Sequence, residues 1–207
     1  MRIGKIVIAA LLGGSAMLAA AQDAAKPRMS REQAEKIMEE DGTSVVQDNL
    51  PVNLFNAKAQ IVEAMIVLGV DPNGKLEMTP QTTLEFAIQA CMDTSIAEAD
   101  VLATIAVLLR EGARPNDTGM MGTLILAAQQ CTPAVVKQLV AGGAALDQRT
   151  PQGFTPLSMA LIVGRYDNAE ALVDAGAKLS AEAAGRLREG AEGNERLLAL
   201  IKRATRH

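Results

Sequence analysis

The chain has 207 residues, a formal net charge of −4 and an apolar fraction of 49%, yet it holds no Trp, one Tyr and three Phe. That length suits one domain of ordinary size, and a core of Ala, Leu, Val and Ile suits thin helices packed closely. The single His is the last residue, His207, which excludes most His-based acid–base, triad and zinc chemistry.

Residues 1–21 read as a secretory leader. Arg2 and Lys5 supply the charged start, Ile6 to Leu18 the apolar stretch, broken by Gly13-Gly14, and Ala19-Ala20-Ala21 the small residues of a cleavage site. The apolar run falls short of the ~20 residues that a spanning helix needs, so cleavage after Ala21 is expected rather than a retained anchor. No Cys lies near that point, which argues against a lipoprotein. Losing Arg2 and Lys5 takes the net charge from −4 to −6. An acidic chain disfavours nucleic acid and anionic membranes as partners. With no other segment long and apolar enough to span a bilayer, no membrane insertion is expected after cleavage.

Residues 22–29 form a short polar linker. Ser30 with Gln33 makes a capping box that opens a charged helix from Arg31 to about Glu40, closed by Asp41-Gly42. Its few apolar positions, Ala34, Ile37 and Met38, fit a terminal cap with one face in water. A helix over Ala59–Leu68 follows, ending at Gly69-Val70-Asp71. A partner helix is expected within Ser44–Phe55, interrupted by Pro51. Thr83–Cys91 and a stretch ending in Leu108-Leu109 then Gly112-Ala113 form the next pair. Gly122–Cys131 with Leu139-Val140 and Gly143-Ala144 form another. The clearest pair is Gly153–Leu179: Pro156 sits at a first helical position, where its missing N–H costs nothing, Gly164 closes the short helix, and Ala169, Leu172 and Val173 recur at helical spacing. Ser180 and Asn194 open two last helices, rich in Arg186, Arg188, Arg196 and Arg203, with the tail fraying from about Ala204.

The pairs keep a period. Leu124 lies 33 residues before Leu157, and the register holds through Gly143-Ala144 against Gly176-Ala177 without a gap. Leu84 to Ala113 spans 29 residues against 20 from Leu157 to Ala177, so nine extra residues lie between the helices around Met92 to Asp100, where Asp93 or Thr94 is expected to start a new helical turn. Thr155, Pro156, Leu157, Ala160, Gly164, Leu172, Gly176 and Ala177 stand where an ankyrin repeat has its Thr-Pro-Leu, Ala, Gly and Gly-Ala positions, and the segment resembles that family. Ser158 replaces the family's usual His, which is expected to weaken a local hydrogen-bond network, and Leu161 replaces its second Ala.

The resemblance implies an all-α ankyrin-repeat solenoid over 30–203. It would have about four repeats, at 44–75, 76–116, 117–149 and 150–179, and capping helices at both ends, the C-terminal cap over 180–203. It also implies a concave face lined by the first helices, with the inter-repeat loops beside it, used to bind another protein. By register, Met120, Met121 and Phe154 fall at loop tips, Ile162 and Val163 end a first helix, and Gln129 and Gln130 are their equivalents one repeat back. Exposed Phe, Met, Ile or Val at such places has no folding reason and marks contact surfaces. Glu85, with Glu77 and Asp117, falls near the same face and would meet a basic partner or simply be solvated.

Cys91 and Cys131 are the only cysteines. Both follow a first helix at equivalent places, and equivalent positions of stacked helices are about 8–10 Å apart, whereas a disulfide wants Cα atoms within about 7 Å. The register therefore argues against a bridge, although the insertion after Cys91 offers a way to draw it closer. Neither His nor a third Cys is at hand for metal binding or catalysis, and no catalytic signature is found; no metal or cofactor is expected. The reading is a non-enzymatic binding protein, monomeric when free and exported to the periplasm of a Gram-negative bacterium. Its use would be as an immunity or inhibitor protein for a toxin or envelope enzyme. The alternatives are a scaffold of an envelope assembly and, remotely, a carboxylate-dependent hydrolase.

Overall fold

The computed structural model describes residues 28–77 and 79–205. The expected leader 1–21 and the linker up to residue 27 lie outside the described residues. What is described is helical throughout, with no strand among the described residues.

Helix α1 (Arg31–Asp41) starts from the expected capping box: Gln33 N–H donates to Ser30 Oγ at 3.2 Å and Ser30 N–H to Gln33 Oε1 at 2.8 Å. It stops at Gly42, whose φ of 72° lies in the left-handed region that an L side chain avoids. Ala34 and Met38 are buried. A short 3₁₀ turn, Gln47–Asn49, then leads into α2 (Leu50–Phe55). Pro51 does not interrupt this helix, contrary to the expectation; it occupies the first turn, where no intrahelical acceptor awaits its missing N–H.

Five pairs make up the described stack: α3 (Ala59–Val67) completes the pair begun by α2; α4 (Thr83–Ala87) runs into a 3₁₀ segment, Ile88–Met92, and pairs with α5 (Glu98–Arg110); α6 (Thr123–Gln130) pairs with α7 (Pro133–Ala141); α8 (Pro156–Ile162) with α9 (Tyr166–Asp174); and α10 (Ala181–Glu189) with α11 (Glu195–Ala204). The helices stack in two layers. The layer of first helices, called the inner layer, is α2, α4, α6, α8 and α10 in turn; the outer layer is α1, α3, α5, α7, α9 and α11. The terminal pair thus extends both layers. Its helices open at Ser180 and Asn194 as expected, each side chain accepting a backbone N–H three residues on.

The core repeats in register. Leu50, Asn53 and Leu54; Leu84, Ala87 and Ile88; Leu124, Ala127 and Ala128; and Leu157, Ala160 and Leu161 are each no more than 2% exposed. This is the i, i+3, i+4 stripe of a helix buried on one side, and it fixes equivalent positions along the stack. Asparagines tie neighbouring pairs together. Asn73 Nδ2 donates to the Gly112 carbonyl at 2.9 Å and its Oδ1 accepts from Arg114 N–H at 2.9 Å. Asn116 does the same one pair later, with the Gly143 carbonyl and Ala145 N–H. Buried Asn168 donates to the carbonyls of Ala128 and Cys131 at the end of α6, satisfying oxygens that a helix C-terminus leaves free.

The insertion takes a more compact form than expected. A single i→i+3 turn starts at Asp93, Ile96 N–H donating to its carbonyl at 3.1 Å, but no helix follows until Glu98. Asp93 Oδ1 also accepts from Ser95 N–H at 2.9 Å and Ser95 Oγ at 2.7 Å, an Asx turn that closes the chain locally. The remaining length goes into the 3₁₀ extension of α4 and into α5, which has 13 residues where α3, α7 and α9 have 9.

Candidate protein-interaction face

The inner layer has an outward side, set by the same register that buries its core. Counting from the equivalent buried leucines Leu50, Leu84, Leu124 and Leu157, the residues two places on are Val52, Phe86, Leu126 and Met159; five places on, Phe55, Gln89, Gln129 and Ile162; six places on, Asn56, Ala90, Gln130 and Val163. Large apolar side chains are exposed at the two ends of these columns: Val52 at 55%, Phe55 at 38%, Ile162 at 51% and Val163 at 47%. The loop preceding each first helix adds Met120 and, at the equivalent place four residues before Leu50, Val46. Val46, Val52 and Phe55 were missed in the sequence because Pro51 obscured α2; the Leu50/Leu54 pair carries the register that would have placed them.

Of the residues expected on this face, Met120, Ile162 and Val163 are exposed. Met121, Phe154, Gln129 and Gln130 are half-buried. Phe154 is held in a tight turn, its carbonyl accepting from Thr150 N–H at 2.9 Å and its N–H donating to Thr150 Oγ1 at 3.2 Å. Gln129 lends its main-chain carbonyl to Arg165 Nε at 3.0 Å. Asp117 is engaged with Arg114 at 2.6 Å, and Glu77 is exposed.

Glu85 requires a correction: it is 0% exposed and meets no solvent-borne partner. Its carboxylate closes the capping box with Thr82 N–H at 3.1 Å. It also accepts from the N–H groups of Gly119, Met120, Met121 and Gly122 at 3.1, 3.0, 3.0 and 2.5 Å. The loop before α6 is therefore wrapped around a carboxylate from the previous repeat. A Cβ at Gly119 would run into the Pro80 carbonyl and the Glu85 carboxylate, so the wrap requires glycine there. At the equivalent place in α8, Ser158 keeps a local network: its Oγ accepts from Thr155 N–H at 2.8 Å while its own N–H donates to Thr155 Oγ1 at 3.2 Å.

Cys91 and Cys131 form a disulfide with Cα atoms 5.1 Å apart, which overturns the expectation drawn from register. Cys131 does follow α6 directly, as its C-cap, but Cys91 lies inside the 3₁₀ segment. A 3₁₀ helix rises about 2.0 Å and turns 120° per residue, so Cys91 is displaced from the position that an α-helix of the same length would give it. Beside the bridge is an open pocket of about 130 Å³ bordered by Asp93, Thr94, Glu98 and Thr132. Small-molecule sites run to about 300–1,000 Å³, so it does not offer one.

The Ser95 hydroxyl and amide hold the Asp93 carboxyl below the usual carboxylate range. The Thr43 hydroxyl, then Lys58, does the same for Asp41. Asp167 and Glu170 raise the Arg196 guanidinium, and Glu170 with Asp174 raises that of Arg203; these pairs tie α11 to α9. Burial lowers Arg110, but Glu111 and Glu63 outweigh it and hold the group above its ordinary value. No group of His, Cys, Asp and Glu side chains suited to a metal ion occurs among the described residues. No described helix is long and apolar enough to cross a membrane.

Residues 87–183 match the family model of ankyrin repeats in three copies. No curated protein matches the chain.

Proposed function

This chain is an ankyrin-repeat protein, and from that premise we propose that it is a non-enzymatic, exported protein that binds another protein through the outward side of its inner helices. Ankyrin repeats are a protein–protein interaction module. The observation that carries the reading is the set of large apolar side chains at Met120, Ile162 and Val163, each about half exposed at 53, 51 and 47%, on the layer that such proteins use for binding. Export is supported by the leader-like residues 1–21 and by the Cys91–Cys131 disulfide, a bond that persists in oxidising compartments. In the periplasm the use we favour is as an immunity or inhibitor protein that caps a toxin or an envelope enzyme.

The test is affinity capture from the periplasm of the native host, comparing the unaltered chain with the triple variant Met120→Asp, Ile162→Asp, Val163→Asp. These positions are exposed, so the variant is expected to keep its circular dichroism spectrum. The proposal expects one dominant partner that the variant fails to retain. A partner retained by the variant would place binding elsewhere. Recovery of the chain only from the cytoplasm with residue 1 intact would overturn export.

A further inference from the structure

The two sulfurs of the Cys91–Cys131 bridge differ in access. Cys91 is half-buried, whereas Cys131 is only 3% exposed. They are also held differently. The Cys131 carbonyl accepts from buried Asn168 Nδ2 at 2.9 Å, and its Sγ lies 3.9 Å from the Ile88 carbonyl. Cys91 stands near the end of the 3₁₀ segment, next to Met92, which is 60% exposed. The pocket beside the bridge is too small for a ligand, yet it is open and leads to the bond. A disulfide exchanges by attack of a thiolate on one of its sulfurs, and access decides which sulfur that is.

The mouth of this pocket is acidic. Asp93 and Glu98 border it, and no Lys or Arg among the described residues does. Thr132 Oγ1 donates to the Glu98 carboxylate and fixes it at the rim; Ser95 N–H and Oγ fix Asp93. The stretch 76–109 holds Glu77, Glu85, Asp93, Glu98 and Asp100 and no base at all. On the other side Lys137, the base next along α7, does not border the pocket. An attacking thiolate is an anion, so these carboxylates slow it. A second negative charge on the thiol slows it further, and a positive charge beside the sulfur offsets the repulsion.

We propose that the bridge is a thiol-exchange site, attacked at Cys91 and selective, through Asp93 and Glu98, for thiols that carry positive charge beside the sulfur. The reactant is a dithiol of that class. Its first thiolate forms a bond to Cys91 Sγ; the Cys91–Cys131 bond breaks, and its electron pair leaves on Cys131 Sγ. That sulfur takes a proton from water and has the Ile88 carbonyl as acceptor. The second thiolate of the reactant attacks the first, and the electron pair leaves on Cys91 Sγ, which takes another proton. The bridge is reduced to two thiols and the reactant is oxidised to a disulfide; the two protons gained match the two that the reactant gives to solvent. The proposal is independent of what the inner layer binds.

The test uses the full-length oxidised protein, purified as the cell processes it, and three monothiols as probes: cationic cysteamine, neutral mercaptoethanol and anionic mercaptopropionate. Each reduction rate is taken per thiolate and divided by the rate of the same thiol toward a small neutral disulfide, which removes differences in nucleophilicity. Cysteamine should lead mercaptopropionate by at least about fivefold at about 50 mM salt, with mercaptoethanol between them, and by less than about twofold at about 500 mM, where the charges are screened. Asp93→Asn with Glu98→Gln, its fold checked by circular dichroism, should level the three thiols at low salt. Glu32→Gln with Glu39→Gln, at exposed positions of α1, removes as much charge elsewhere and should leave the order unchanged. Early samples quenched with N-ethylmaleimide and mapped by mass spectrometry should carry the cysteamine adduct on Cys91 and the maleimide on Cys131.

Adducts on Cys131, or equally on both cysteines, would overturn the proposal. So would equal rates for the three thiols at low salt, or a preference that the α1 variant loses as fully as the Asp93, Glu98 variant. A rate that levels off with thiol concentration at one value for all three probes would show that the bridge is reached only after the repeat opens, and would leave it a structural bond.

Discussion

Glu85 shows how a residue type misleads when its surroundings arrive from far along the chain. A carboxylate on the outward turn of a first helix reads as a solvated charge, and the only local hint is the Thr82–Glu85 capping spacing. What buries it is the Gly119–Gly122 loop, 34 to 37 positions away. Once there, it satisfies donors that would otherwise be buried without partners. Replacing it with Ala strands those N–H groups, each unsatisfied buried group costing about 1–3 kcal/mol, so Glu85→Ala is expected to lower stability by about 3–5 kcal/mol in urea denaturation. Glu85→Gln, which keeps an acceptor of the same shape, should lose less. Gly119→Ala should lose about 1–3 kcal/mol by crowding the same carboxylate. A change below about 0.5 kcal/mol for Glu85→Ala, the ordinary range for surface substitutions, would show that the loop does not depend on it.

At the scale of elements, punctuation was readable and exceptions to α geometry were not. Ser30 with Gln33, Pro156, Gly164, Ser180 and Asn194 each act where their chemistry places them, because capping and termination are local. Pro51 was misread because its effect depends on where the helix begins: inside a helix it breaks a bond, and in the first turn it does not. The 3₁₀ continuation of α4 has no clear signature in Ile88–Met92, yet it decides whether Cys91 reaches Cys131. The bridge spans 40 positions of sequence and closes a loop that holds α5, the following inter-repeat loop and α6. On the chain-entropy account a loop of that length contributes up to about 4 kcal/mol. Reduction, or Cys91→Ser with Cys131→Ser, should therefore lower the unfolding free energy by an amount of that order. Hydrogen exchange should rise first in residues 88–101, which the bridge holds against the end of α6. Equal stability and exchange with and without reductant would mean that the extension of α4 and the Asx turn at Asp93 hold the expanded repeat unaided.

At the scale of the molecule, the 33-residue register made the architecture readable, since each pair copies the last and buries the same three inner positions. Exposure along the proposed binding face is only partly readable. That of Ile162, Val163 and Met120 follows from register alone because it depends on their own helix or loop. That of Phe154, Met121 and Gln129 does not, because turns and the following repeat cover them. The proposed docking side is the exposed apolar surface of α2, α4, α6 and α8, not the outer layer. Site-specific photo-crosslinking in the native host separates the two, with a photoreactive residue at Ile162 compared with one at the exposed Lys137 of α7. A discrete protein adduct from Ile162 and none from Lys137 is expected; an adduct from Lys137 alone, or equal adducts from both, would place docking elsewhere.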